Sequence, residues 1–130
     1  MPTTDIAKEQ KTTVVMGATT NPTRYAYLAA HRLKENHVPF VPVGIKRGEV
    51  AGEEIMDLRE KPELDHVHTV TMYIGPDNQA EWIDYILSLK PKRIIFNPGA
   101  ENPVLEQKAK EQGIEVVEGC TLVMLSIGAF

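Results

Sequence analysis

Short β-branched runs alternating with helical stripes constrain this chain more than any other feature. Thr12-Thr13-Val14-Val15-Met16, closed by Gly17, has the pattern of a buried strand. After Asn21-Pro22, residues 23–36 set Tyr25, Leu28, Ala29 and Leu33 at helical spacing, with a stop at Asn36 before Pro39. Residues 39–43 form a second strand whose prolines favour an exposed end. A Gly- and charge-rich connection covers residues 44–52, and the sequence leaves the type of the short element at 53–59 open before the Lys61-Pro62 break. Residues 67–74 give a third strand, closed by Gly75-Pro76. Residues 78–89 predict a helix capped by Asp77, with Ala80, Trp82, Ile83, Ile86 and Leu87 on its stripe. Residues 93–96 are the fourth strand, and Asn102-Pro103 opens a helix that runs to Gln112-Gly113. Residues 114–117 are the last strand. The apolar tail at 122–127 fits a covering helix better than a sixth strand.

Nearly continuous apolar strands separated by helices require parallel crossovers around one sheet. The expected fold is therefore α/β and doubly wound: a three-layer architecture with a mainly parallel five-stranded sheet and helices on both faces. Ligands of such sheets sit beyond the carboxyl ends of the strands, near the point where the winding reverses. With 42% hydrophobic residues in 130, the chain supports one core, so a flexible leader over residues 1–10 and one domain over 11–130 are expected. A net charge of −4 gives no footprint for nucleic acid. No apolar run approaches the roughly 20 residues that cross a bilayer, and no secretory signal opens the chain, so a cytoplasmic location without membrane contact is expected. The single cysteine, Cys120, rules out an internal disulfide, a CxxC redox pair and a multi-thiolate metal site.

The strand-end loops are where binding chemistry is expected. Gly17-Ala18-Thr19-Thr20-Asn21-Pro22-Thr23-Arg24 lies between the first strand and the first helix. Gly17 lets backbone approach a ligand, the hydroxyls of Thr19 and Thr20 can donate to phosphate, and the helix amino terminus supplies free N–H groups. Neither GxGxxG nor GxxxxGK[ST] is present. A plain connecting turn is the competing explanation. After the second strand, where NAD-binding proteins place a carboxylate, this chain has Gly44-Ile45-Lys46-Arg47. Two cations suit a phosphorylated ribose, and so coenzyme A or NADP, although a solvated basic turn has the same composition. The loops Tyr73-Ile74-Gly75-Pro76 and Asn97-Pro98-Gly99-Ala100 are neutral and suit an adenine or an acyl chain.

Taken together, these segments resemble the small coenzyme A-binding domain proteins, relatives of the nucleotide-binding amino-terminal domain of the succinyl-CoA synthetase alpha subunit. The resemblance covers about residues 11–120. It rests on Val14-Val15-Met16-Gly17-Ala18-Thr19, Asn21-Pro22, Arg24-Tyr25, Val41-Pro42-Val43, Gly52-Glu53, the third strand with Pro76, and Asn97-Pro98-Gly99. It implies a Rossmann-like fold in which Gly17, Thr19, Asn21 and Arg24 surround the pyrophosphate. It puts Val43 and Lys46 near the adenosine and its phosphate, and Tyr73, Ile74 and Pro76 beside the pantetheine. Ala18, Thr20, Tyr25 and Asn97 complete the cofactor-binding set. The ligase that shares this domain transfers phosphoryl groups through a histidine on another domain, for which 130 residues leave no room.

Candidates for chemistry are sparse. His66 and His68 alternate about Val67, which in a strand would turn both imidazoles to one face, but no third metal ligand lies near in sequence. Cys120 precedes a predicted helix, where a thiolate is favoured, and exchange into a mixed disulfide with the cofactor is a hypothesis on that position alone. Three functions compete. The first is non-catalytic or regulatory binding of coenzyme A or acyl-CoA. The second is a small NADP-dependent oxidoreductase. The third is an interaction module with a vestigial pocket, its residues 122–130 packed on a second copy or another protein.

Overall fold

In the computed structural model, which describes residues 11–130, eight strands and four α-helices follow one another along the chain. The strands are β1 (Thr12–Met16), β2 (Phe40–Gly44), β3 (Glu49–Val50), β4 (Glu53–Glu54), β5 (Met56–Asp57), β6 (Val67–Met72), β7 (Arg93–Phe96) and β8 (Glu115–Glu118). The helices are α1 (Tyr25–Glu35), α2 (Ile83–Ser88), α3 (Pro103–Glu111) and α4 (Thr121–Ser126). Six strands form one parallel sheet in the order β5-β2-β1-β6-β7-β8, and β3 and β4 pair as a separate antiparallel hairpin. The leader expected over residues 1–10 lies outside the described residues.

Register explains which side chains become core. One row runs across the sheet through Val41, Val14, Val70, Ile94 and Val116. Because successive strand residues face opposite ways, Val14, Met16, Val70, Met72, Ile94 and Phe96 share one face. That face packs against Ile83 and Ile86 of α2 and Leu105 and Ala109 of α3. On the other face Val15 meets Ala26, Ala30 and Leu33 of α1, with Leu125 of α4 alongside. Threonines also point to this second face, and their buried hydroxyls are paired: Thr71 Oγ1 with Thr121 Oγ1 at 2.7 Å, and Thr69 Oγ1 accepting from Arg93 Nε at 3.1 Å. Such pairing offsets the cost of burying a hydroxyl.

The alternation predicted from sequence holds, apart from the β3–β4 hairpin, which begins inside the segment read as a connection, and two further differences. The sheet has six strands where five were expected. The extra strand, β5, joins the open side of β2 through Val43↔Met56 and Gly44↔Asp57. A two-residue strand carries no periodicity, which is why residues 53–59 read ambiguously. Pro42, which lacks an amide, falls just before this pairing begins. The second difference lies at residues 76–89, within which one helix was predicted over 78–89. Only Ile83–Ser88 is α-helical, and two 3-10 turns, Pro76–Asn78 and Ala80–Trp82, precede it. Asp77 sits inside the first turn and caps nothing. The interruption comes from Gln79, whose side chain turns into the interior and is fully buried.

The helix predicted at Pro103 is present, with Asn102 as its cap: Oδ1 accepts from Val104 N at 3.1 Å and Leu105 N at 3.4 Å. The tail is helical as expected. Phe96 is the largest fully buried side chain and joins the sheet to the α2 and α3 layer. Phe96→Ala is expected to lower stability by about 3–5 kcal/mol in urea unfolding, the range for a buried phenylalanine that leaves a cavity.

Candidate functional site

Strand order reverses between β1 and β6, since the chain leaves β1 toward β2 on one side and later fills β6, β7 and β8 on the other. Where winding reverses, the helices diverge and a crevice opens beyond the carboxyl ends. A cleft of about 780 Å³ lies there, bounded by the loops after β1, β2, β6 and β7. That volume is within the range of small-molecule sites.

The first loop is shaped by Gly17. Its φ of +103° is unfavourable for side-chain-bearing residues, and a Cβ would stand 3.1 Å from both Ile74 Cγ1 and the Tyr73 carbonyl carbon. The amides of Gly17 and Ala18 both donate to the Val43 carbonyl, at 2.8 and 3.0 Å. These two N–H groups are therefore occupied by the fold. Further along, Asn21 N donates to Thr19 Oγ1 at 3.1 Å, and Thr23 donates to Asn21 Oδ1 from its amide at 3.0 Å and its hydroxyl at 2.7 Å. This local network holds Asn21-Pro22-Thr23 as a turn ahead of α1. Arg24 precedes the helix in extended conformation without a side-chain cap; Tyr27 N and Leu28 N donate to its carbonyl at 3.2 and 3.3 Å, which leaves the amides of Tyr25 and Ala26, two residues that line the cleft, without an acceptor among the described residues.

The second wall comes from β2. Gly44 is required because a Cβ there would run into the Ala18 carbonyl oxygen. Ile45 and Lys46 follow and line the cleft. Neither Arg24 nor Lys46 forms an ion pair among the described residues. Tyr25 and Ile45, 71% and 58% exposed, present unusual apolar area beside these cations. The far side is neutral apart from Glu81: Ile74, Gly75, Pro98, Gly99 and Ala100 line it, with Trp82 at its edge.

The structure brings Gly17, Ala18, Thr19, Thr20, Asn21, Arg24, Tyr25, Lys46, Tyr73 and Ile74 around this cleft. It does not bring Val43, Pro76 or Asn97 to the lining. Val43 is a core residue that faces the cleft loop only through its carbonyl. Pro76 is exposed and starts a 3-10 turn. Asn97 is buried and works as a staple: Nδ2 donates to Thr71 Oγ1 at 2.7 Å and Met72 O at 2.8 Å, while Oδ1 accepts from Thr121 N at 2.9 Å. Sequence reasoning missed Glu81 and Trp82 as lining residues. Trp82 lay on an apolar stripe indistinguishable from a core stripe, and nothing in its neighbours marked it out.

Tyr73 lines the cleft with its ring, while its hydroxyl is buried beside Thr71 and Thr121 without an aligned hydrogen-bond partner. Burial pushes its pKa up to about 12, partly opposed by those two hydroxyls. Cys120 caps α4 by position but does not line the cleft, so the cofactor exchange imagined for it has no support in this arrangement. His66 takes a φ of 59° ahead of β6, so the two histidines do not alternate along one strand. No group of three His, Cys, Asp or Glu side chains able to hold a metal is found among the described residues. No helix among them is long and apolar enough to cross a membrane.

The pattern that defines CoA binding domains matches residues 11–126. The chain belongs to the CoA-binding domain family. An uncharacterized protein of known crystal structure is 57% identical, with a TM-score of 0.88 over 92% of this chain and 98% of its own. A Thermus thermophilus protein matches at 25% identity and a TM-score of 0.78 over 100% of both chains. A dinucleotide-forming acetyl-coenzyme A synthetase from Ca. Korarchaeum cryptofilum shares the fold at 18% identity and a TM-score of 0.65, over 84% of this chain and 25% of that one. No curated protein matches the sequence. The cleft of this CoA-binding domain lies at the switch point, where α/β sheets commonly bind ligands.

Two outcomes are expected. Gly17→Val combines a forbidden φ with contact against the β6 loop, and should cost about 1–3 kcal/mol in urea unfolding. Tyr73 and Tyr85 both have pKa values raised by burial from 10.0 to about 12. The folded state holds those protons more tightly than the unfolded chain, so stability should fall as pH rises from about 10 to about 12. Ultraviolet titration of the folded protein should show two late-ionising tyrosines, and Tyr73→Phe should remove one.

Proposed function

We propose that the chain binds coenzyme A or an acyl derivative in the cleft at the carboxyl edge of the sheet, and that it carries the ligand without transforming it. The observation that carries this reading is the polarity of the cleft. Arg24, Lys46 and the open amides of Tyr25 and Ala26 at the start of α1 gather at one end, and neutral loops form the other. Coenzyme A has the matching polarity, with three phosphates at its nucleotide end and an uncharged pantetheine arm at the other.

In this reading the diphosphate lies against the amino terminus of α1, where unpaired N–H groups and the helix dipole favour negative charge. Arg24 closes on it from the helix cap. Lys46 pairs with the ribose phosphate, and the exposed faces of Tyr25 and Ile45 are covered by the adenosine. The arm then runs past Ile74-Gly75 toward Pro98-Gly99-Ala100. The Gly17 turn keeps the approach clear of side chains.

The ionisable groups around the cleft support binding without chemistry. Arg24 and Lys46 are cations suited to phosphate. Tyr73, with its buried hydroxyl and pKa near 12, is a poor proton donor. Tyr25 and Glu81 have no partner arranged as a nucleophile and base. The absence of GxGxxG disfavours a dinucleotide, which keeps hydride transfer from NADPH as the weaker reading.

Isothermal titration with coenzyme A, acetyl-coenzyme A, NADPH and NADH tests the proposal directly. Saturable binding of the first two in preference to the others is expected, and NADPH preference would replace this reading with an oxidoreductase. Silence from all four would favour the interaction module. Lys46→Ala should weaken coenzyme A by about 1–3 kcal/mol and leave dephospho-coenzyme A unchanged, since only the former carries the ribose phosphate.

A further inference from the structure

Beyond the end of the β6–β7 ladder at Met72↔Phe96, the two strand-end loops separate, and no backbone hydrogen bond joins 73–75 to 98–101 among the described residues. Asn97 ties them at the base, through Met72 O. Higher up, one side chain spans the gap. Gln79 Nε2 donates to Ile74 O at 2.7 Å and to Ala100 O at 2.8 Å, so that both amide protons are used, one on each loop. Its Oε1 accepts from Asn102 Nδ2 at 3.0 Å. Gln79 is 0% exposed and does not line the cleft, whereas Ile74 and Ala100 do.

We infer that Gln79 is a positioning residue for ligand binding: its carboxamide sets the spacing of the Ile74 and Ala100 loops and so preforms the neutral half of the cleft. This inference rests on the coenzyme A reading given above, in which the uncharged arm follows that wall. The local backbone is built around the same side chain. Gln79 N donates to Pro76 O at 3.2 Å and its carbonyl accepts from Trp82 N at 2.9 Å, so the two 3-10 turns flanking Gln79 also bring Trp82 to the cleft. Preformed walls spare a ligand the cost of ordering loops as it binds. Without the carboxamide, the partly buried Ile74 carbonyl and the buried Ala100 carbonyl lose their donor and the loops must relax to find water.

The test compares two ligands on the wild-type chain, on Gln79→Met and on Asn102→Asp. Methionine nearly matches glutamine in length and volume but donates nothing. Aspartate at 102 keeps the oxygen that caps α3 while replacing the amide that donates to Gln79. Coenzyme A fills both halves of the cleft, and adenosine 3′,5′-bisphosphate fills only the cationic half. Coenzyme A affinity should fall about tenfold in Gln79→Met, with adenosine 3′,5′-bisphosphate within about twofold of wild type. A merely structural role would weaken both ligands alike. Equal weakening, or unchanged coenzyme A affinity, overturns the inference. If Gln79→Met does not fold, the same comparison on Asn102→Asp decides it. Failure of the wild-type chain to take either ligand overturns the binding reading and this inference together, whereas failure confined to the variants overturns the inference alone.

Discussion

The Val43 carbonyl accepts two amides, from Gly17 and Ala18, and the rest of the site depends on that pairing. It carries the β1–β2 connection one step past the last ladder residue and then bends the chain over the edge of the sheet. A matching bond from Tyr73 N to Met16 O, at 2.8 Å, ties β6 to the same level. Three strand ends are thus fixed side by side at the point of reversed winding. Only glycine tolerates the bend at 17, and only glycine at 44 clears the Ala18 carbonyl. Placement of Arg24 and Lys46 follows from those two positions.

Buried polar side chains do the remaining work of holding the edge together. The β6–β7 ladder stops at Met72↔Phe96, and no backbone hydrogen bond joins the loops beyond it among the described residues. Asn97 binds β6, β7 and the start of α4. Gln79 and Asn102 bind the two neutral loops and the start of α3. Asn97 and Gln79 each use both amide protons and the carbonyl oxygen, and Asn102 donates to Gln79 while its oxygen caps α3, which makes a buried polar group stabilising rather than costly. The same residues look like surface or turn residues in sequence, because composition alone does not tell an inward amide from an outward one.

Much of the fold was legible because its signals are local. Residues 93–96 gave the β7 strand without ambiguity, and Asn102-Pro103 announced α3 together with its cap. The cleft loops after β1 and β2 followed from topology, since the carboxyl edge is where such sheets bind. What sequence could not show was decided by tertiary contact. β5 exists only because β2 offers it an open edge. The helical stripe at 78–89 broke because Gln79 is drawn inward by the Ile74 carbonyl and by that of Ala100 on the next strand-end loop, and Trp82, still packed against the core, also borders the cleft. Asn97 was read as a ligand contact for the converse reason: a polar residue at a strand end invites that interpretation until its three bonds are seen.

The central seam of the sheet joins β1 to β6, segments more than fifty residues apart in the chain. The sheet strands that precede β6 lie on one side of that seam and β7 with β8 on the other. The cleft straddles it, drawing one wall from each side. An occupant touching both walls acts as a clasp across the two halves, and the clasp has no grip on an open chain. Resistance to unfolding then rises with the free ligand concentration by mass action, and the turnover of the protein becomes tied to how much of that ligand is at hand.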